Sequence, residues 1–123
     1  MAYLNDRVLD NGLSALTAEG NRLDICSQEP ASYAEATSTY TLGNKTSLSV
    51  GSPGDGSPDG RKVTVAAITD GSVTGTGTAT HYAVVDTSNS RLLATNTLSS
   101  SQSVTNGNTF TLGAVDIRIP DPA

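Results

Sequence analysis

The chain of 123 residues has no tryptophan, one phenylalanine, one methionine, one cysteine and one histidine, and each shortage excludes something. A lone cysteine, Cys26, excludes an intramolecular disulfide. With so few aromatics the core must be built from small aliphatic side chains, and a sugar-stacking platform would rest on tyrosine alone, chiefly Tyr33 and Tyr40, with Tyr82 as a third. Basic residues number seven against twelve acids, giving a formal charge of −5, and they never cluster beyond Arg61-Lys62. A nucleic-acid binder needs a basic stripe to neutralise phosphates, so no nucleic-acid partner is expected. No run approaches the roughly 18 apolar residues of a membrane span, so none is expected. The opening MAYLNDRVLDNG carries acids where a secretory leader needs an apolar run, which predicts a protein made and kept in the cytoplasm, or leaving it only as part of an assembly.

Motifs that carry chemistry are missing as well. The chain contains no glycine-rich phosphate loop opening a helix, no G-x-S-x-G elbow, no H-E-x-x-H and no C-x-x-C. A nucleophilic Cys26 would need a base, and the one candidate is His81. The plainer expectation is that Cys26 fills space as a small buried hydrophobe and His81 is a structural strand residue. No enzyme activity and no cofactor are expected. Asp55, Ser57, Asp59 and Gly60 follow the opening of a calcium loop, but the closing bidentate glutamate is replaced by Ala66. Six to eight oxygens are required there, so no metal is expected. Asn44-Lys45-Thr46 fits a glycosylation sequon and, without a secretory leader, reads as chance.

What the chain has is threonine, serine and glycine. Thr suits a pleated strand and disfavours helix. From Arg61 to Ile119 four extended segments alternate with turn clusters at 69–72, 87–90 and 99–103. That spacing predicts a mainly β fold, a small antiparallel β-sandwich or barrel. One short N-terminal α-helix is predicted over 4–20, where Leu9, Leu13 and Leu16 form a stripe with Val8 alongside, Asn5 caps the start and Gly20 the end. Further strands are predicted at 22–28 and 40–50, with a surface loop between them. The segment 51–60, GSPGDGSPDG, has no core-forming side chain and reads as an exposed loop and hinge. A single domain over 1–123 follows: helix plus strands to residue 50, the loop 51–60, a β unit over 61–119 and a short tail 120–123.

Three details sharpen the β unit. Gly75 and Gly77 leave one strand face bare, which suggests a close approach or an interface edge. The run His81–Val85 is apolar on both faces and predicts a central strand covered on two sides. Phe110, Leu112 and Ala114 share one parity while Val115, Ile117 and Ile119 share the other, so a bulge or sharp bend is predicted at Gly113-Ala114.

The stretches AYLNDRVLDNGL, ICSQEPASYAEATSTYTLGNKT, ATHYAVVDTSNSRLLAT and GNTFTLGAVDIRIPDP together resemble small virion structural proteins of tailed bacteriophages and prophages. The resemblance covers most of the chain and carries no catalytic motif. It implies a virion protein made in the bacterial host cytoplasm. Its first implication is a capsid decoration, or cement, protein that binds the lattice of the major capsid protein as a homo-oligomer, commonly a trimer. The alternative is a tail-tip or fibre module that binds host-surface carbohydrate through Tyr33, Tyr40, His81 and nearby Asp or Asn residues. In the first reading the contact residues are expected on the helix at Leu9, Leu13 and Leu16, on the loop at Asp55 and Asp59, and at Gly75 and Gly77.

Overall fold

A computed structural model describes residues 3–4, 13–55 and 61–119. Ten strands and two short helical pieces follow in order: β1 (Tyr3–Leu4), α1 (Ser14–Glu19), β2 (Arg22–Cys26), a π-helical turn (Glu35–Thr39), β3 (Thr41–Thr46), β4 (Gly54–Asp55), β5 (Arg61–Val65), β6 (Ile68–Val73), β7 (Gly77–Asp86), β8 (Arg91–Val104), β9 (Thr109–Leu112) and β10 (Val115–Ile119). The protein is mainly β, with one α-helix among the described residues, as the strand and turn spacing predicts.

The strands form a curled antiparallel sheet in the order β1-β8-β7-β2-β3-β6-β9 and a smaller sheet β10-β5-β4. Chain order and sheet order differ. The early strands β2 and β3 sit in the middle of the large sheet, between β7 and β6. Strands from before and after the segment 51–60 therefore share one sheet; residues 56–60 of that segment lie outside the described residues. Its first part pairs onto the small sheet, Gly54 opposite Lys62 and Asp55 opposite Arg61.

Curling gives the large sheet an inside. Leu23 and Ile25 of β2 face inward beside Val84 of β7, Val63 and Val65 enter from the small sheet, and Leu16 enters from α1. The opposite face of β2 is buried too. There Cys26 packs with Ala83, Val85 and Leu92 under Ala36 of the π-helical turn, with Tyr33 and Tyr40 against the cluster. The segment 27–40 is thus a lid, where the sequence predicts only a surface loop between strands ending at 28 and starting at 40. It explains why β7 is apolar on both faces and why β2 is buried on both faces from Leu23 to Cys26.

Gly20 ends α1, but not through a left-handed conformation. Its φ is −72° and its N–H donates to Leu16 O. A Cβ there would lie 2.8 Å from Leu16 O and 3.0 Å from Val84 Cγ1, so closeness between helix end and sheet demands the glycine. The predicted span 4–20 is too long at its start: Leu4 is paired in β1 opposite Ala94 and Leu13 stands at the N-cap, while residues 5–12, with Asn5, lie outside the described residues.

Three sequence expectations about breaks are corrected. Asp70-Gly71 is no turn, because β6 runs straight through it, with a register irregularity between Ile68 and Gly71. Gly71 stays extended because the Phe110 ring of β9 lies where its Cβ would be. The turn comes later, at 74–76, where Thr74 N–H and Gly75 N–H both donate to Leu42 O, 2.8 and 3.1 Å. The Ser/Gln run at 99–103 is no break either, since β8 continues to Val104 and pairs again with β7 through Gln102, Ser103 and Val104. The parity switch at Gly113-Ala114 is a true break of larger scope than a bulge, for there the chain leaves β9 in one sheet and enters β10 in the other.

The turn at 87–90 stands as predicted. The buried carboxylate of Asp86 accepts Ser88 N–H at 2.9 Å and Asn89 Nδ2 at 2.7 Å, pinning the hairpin between β7 and β8.

Candidate binding edge and cleft

Strand β8 is where the described surface becomes distinctive. Its first half is core: Leu92, Leu93 and Ala94 are buried. From Asn96 onward it turns outward, and Asn96, Thr97 and the serines 99–101 are exposed, with Leu98 half-buried. On one side β8 pairs with β7, yet the register jumps from His81–Thr97 to Ala79–Gln102, so Leu98–Ser101 leave the ladder as a wide bulge. On the other side β1 pairs only with Thr95 and Ala94. Further along, Gln102 Nε2 donates to Thr111 O at 2.9 Å and ties β8 to β9. Between these two attachments, Asn96–Ser101 have no strand beside them on that side among the described residues.

A cleft of about 280 Å³ opens along this stretch. One wall is Asn96–Ser99; the other is Leu112–Asp116, the crossover between the sheets. Tyr82 of β7 forms part of its lining and is itself 4% exposed. Tyr82 sits opposite Ile25 on one side and Asn96 on the other, which turns its ring inward. Its phenol makes no hydrogen bond to another described residue, and burial alone pushes its pKa to about 12. No buried side-chain oxygen or nitrogen among the described residues lacks a partner, so the Tyr82 hydroxyl is the part that meets the cleft. At the rim, Asp116 accepts from Thr64 Oγ1 at 2.7 Å and from Lys62 Nζ at 3.1 Å. These bonds hold its carboxyl below the usual range.

A polar network lies on the lid side of the large sheet. Arg22 Nε donates to Asp24 Oδ1 at 2.7 Å and Arg22 Nη2 to Oδ2 at 3.0 Å, while Thr41 Oγ1 donates to Oδ2 at 2.6 Å. Asp24 is fully buried, and burial raises its pKa despite these donors. The arrangement is a satisfied ion pair beneath the lid, suited to holding β2 and β3 in register rather than to proton transfer. Its signal was present in the sequence: Arg and Asp two apart on a strand share a face.

Cys26 and His81 are register partners on β2 and β7, so the fold does bring them side by side. The thiol is nevertheless closed off. It is fully buried, its Sγ approaches Ala36 O at 3.7 Å, and burial pushes its pKa to about 12. His81 Nδ1 instead meets Thr80 Oγ1 at 2.9 Å. A thiolate nucleophile has no support in this geometry.

The residues expected at an interface are placed as follows. Leu13 and Leu16 are buried in this chain's own core, at 5% and 0% exposure. The bare positions Gly75 and Gly77 face the Leu42 side chain of the same chain, a Cβ at Gly77 lying 3.3 Å from Leu42 Cδ2. Asp55 belongs to β4 by its backbone. Leu9 and Asp59 lie outside the described residues, as do the other members of the half calcium pattern except Asp55. Tyr33 and Tyr40 are half-buried against the lid-side cluster.

Among the described residues no three of His, Cys, Asp and Glu gather as metal ligands. No helix among them is long and apolar enough to cross a membrane. Compared with protein-family models, curated proteins and solved structures, the chain matches none.

Proposed function

We propose that the chain is a non-enzymatic virion structural protein of a tailed bacteriophage, a capsid decoration protein that binds the major capsid protein lattice and stabilises the head. The observation that carries this reading is the second half of β8: a long, uncharged, Ser/Thr-rich strand lying exposed on a packed β scaffold. Such a strip offers many modest polar contacts and no strong single site. Repeated over a lattice, contacts of that kind add through multivalency. The resemblance to phage structural proteins supports the same reading. Synthesis is in the bacterial host cytoplasm and the working location is the capsid surface, as a homo-oligomer with a trimer favoured.

The carbohydrate-binding alternative draws less support, because Tyr33 and Tyr40 lean on the lid-side cluster and the Tyr82 ring is turned inward. A sugar platform needs an open aromatic face. The test is an electron-microscopy reconstruction of purified virions. Regular density of this protein's size over the head lattice is the expected result. Density confined to the tail or its tip overturns the capsid reading.

A further inference from the structure

We propose that the pair Asn106-Gly107 is a deamidation site that the folded turn holds unreactive, so that it converts to aspartate and isoaspartate only when this corner of the sheet opens. The modification is independent of what the chain binds.

The sequence supplies the reactive pair. An asparagine followed by glycine is chemically labile, because the glycine has no side chain to screen its backbone nitrogen. That nitrogen attacks Asn106 Cγ and gives up its proton. The N–Cγ bond forms, the Cγ–Nδ2 bond breaks and ammonia leaves with the proton, closing a five-membered succinimide. Water then opens either carbonyl of the ring. One opening gives aspartate. The other gives isoaspartate, whose main chain runs through Cγ and is one methylene longer. Water is the one co-reactant, and residues 105–108 are all exposed to it. Burial gives no shelter there, so any protection must come from hydrogen bonds and torsion.

The turn supplies both. Gly107 N–H, the nucleophile's own proton, is donated to Val73 O of β6 at 3.0 Å. Its neighbours are held alongside: Asn106 N–H donates to Thr76 Oγ1, and Val73 N–H donates to Asn108 O, each at 3.0 Å. The turn between β8 and β9 is thus docked on the end of β6 and on the 74–76 turn.

The torsional lock is independent of these bonds. Asn108 N–H donates to Thr105 O at 3.0 Å, Gly107 has φ 92° and Asn106 is not among the residues with positive φ, which together define a type II turn. Ring closure requires Gly107 N to be eclipsed with Asn106 Cβ about the Cα–C bond. In a type II turn it stands roughly 120° away. Rotating it into line carries Gly107 N–H off Val73 O, so the reaction and the docked turn exclude each other. Isoaspartate at 106 then lengthens the backbone inside the turn and spoils the spacing these bonds need. A corner that has opened and reacted does not close again.

The full chain is incubated in mildly alkaline buffer, folded and in concentrated urea. The peptide that holds Asn106 is followed by mass spectrometry, apart from the one that holds the second such pair, Asn11-Gly12. The folded chain is expected to convert at Asn106 about tenfold or more slowly than the denatured chain. Through a urea series below the unfolding transition, conversion should rise in step with hydrogen exchange at Gly107 N–H. Thr76→Val removes the acceptor of Asn106 N–H and is expected to raise the folded rate about three- to tenfold, with the denatured rate unchanged. Equal rates in folded and denatured chain, or conversion that does not follow Gly107 exchange, overturn the proposal. The urea series on the parent chain settles this whether or not Thr76→Val folds. A folded Thr76→Val chain that converts at the parent rate overturns it as well. Chain carrying isoaspartate at 106 is expected to lose amide protection at Val73 and Asn108 while Ile25 and Val84 keep theirs, and unchanged protection at Val73 overturns the lasting opening.

Discussion

Phe110 lies against the bare backbone of Gly71: a Cβ at Gly71 would collide with the ring at Cδ2, Cε2 and Cζ. The two residues are register partners on β6 and β9. One supplies the largest apolar group of the pair and the other the space for it. Gly71→Ala should destabilise the protein by about 2–3 kcal/mol through overpacking. Phe110→Ala should cost about 3–5 kcal/mol through the cavity it leaves. Chemical denaturation of these two variants, of Phe110→Leu and of the double variant Gly71→Ala/Phe110→Leu checks this. The pair should be strongly non-additive, because the smaller ring-less side chain makes room for the added methyl.

The Arg22–Asp24–Thr41 network should behave as a unit. Asp24→Ala strands Arg22 and the Thr41 hydroxyl under the lid and is expected to cost about 3 kcal/mol, whereas Thr41→Val should cost about 1 kcal/mol. Equal small losses from both would show the network to be dispensable.

The same carboxylate sets a pH dependence. Burial raises the folded pKa of Asp24 above its unfolded value, so the folded state holds the proton more tightly. Stability should therefore fall as pH rises from the ordinary carboxylate range through the raised folded pKa, then level off. Asp116 works in the opposite sense, because its lowered pKa gives stability above the ordinary carboxylate range that is lost in acid. Comparing denaturation of Asp24→Asn and Asp116→Asn with the parent between about pH 3 and 6 separates them. Asp24→Asn should remove a decline with rising pH, and Asp116→Asn a gain.

Cys26 should be unreactive in the native protein. With its thiol pushed to about 12 and fully buried, labelling by iodoacetamide near pH 8 should proceed only as fast as the fold opens, and rapidly in denaturant. Linkage adds that stability falls above the ordinary thiol pKa, where only the unfolded chain ionises. Native labelling at the rate of a free thiol would contradict the described lid.

Ser90 closes the hairpin between β7 and β8 with φ 54°, a left-handed conformation that disfavours a side chain. Ser90→Gly should raise stability by about 0.5 kcal/mol, the relief of strain being partly offset by the extra freedom of the unfolded chain. Thermal unfolding reads the sign directly.

The sequence by itself determined what depends on local pattern and composition. Alternating Thr and Val fixed a β fold; the apolar run His81–Val85 fixed a central strand; Asp86 through Ser90 fixed a hairpin; and the parity change between Leu112 and Val115 fixed a break in direction. Each is set by residues a few positions apart. Only the tertiary structure decided the rest. Asp70-Gly71 carries a turn signal, yet remains extended because Phe110 arrives from 39 positions away to occupy the space over Gly71. The serines 99–101 look like a loop, yet stay in one strand because β7 pairs on both sides of them. Leu13 and Leu16 read as a stripe that could pack on the sheet or on another subunit, and they are core, because the curled sheet offers them a place inside. The cleft was invisible for the same reason: Tyr82, Asn96 and Asp116 come together only where two sheets meet, and no local spacing encodes that meeting.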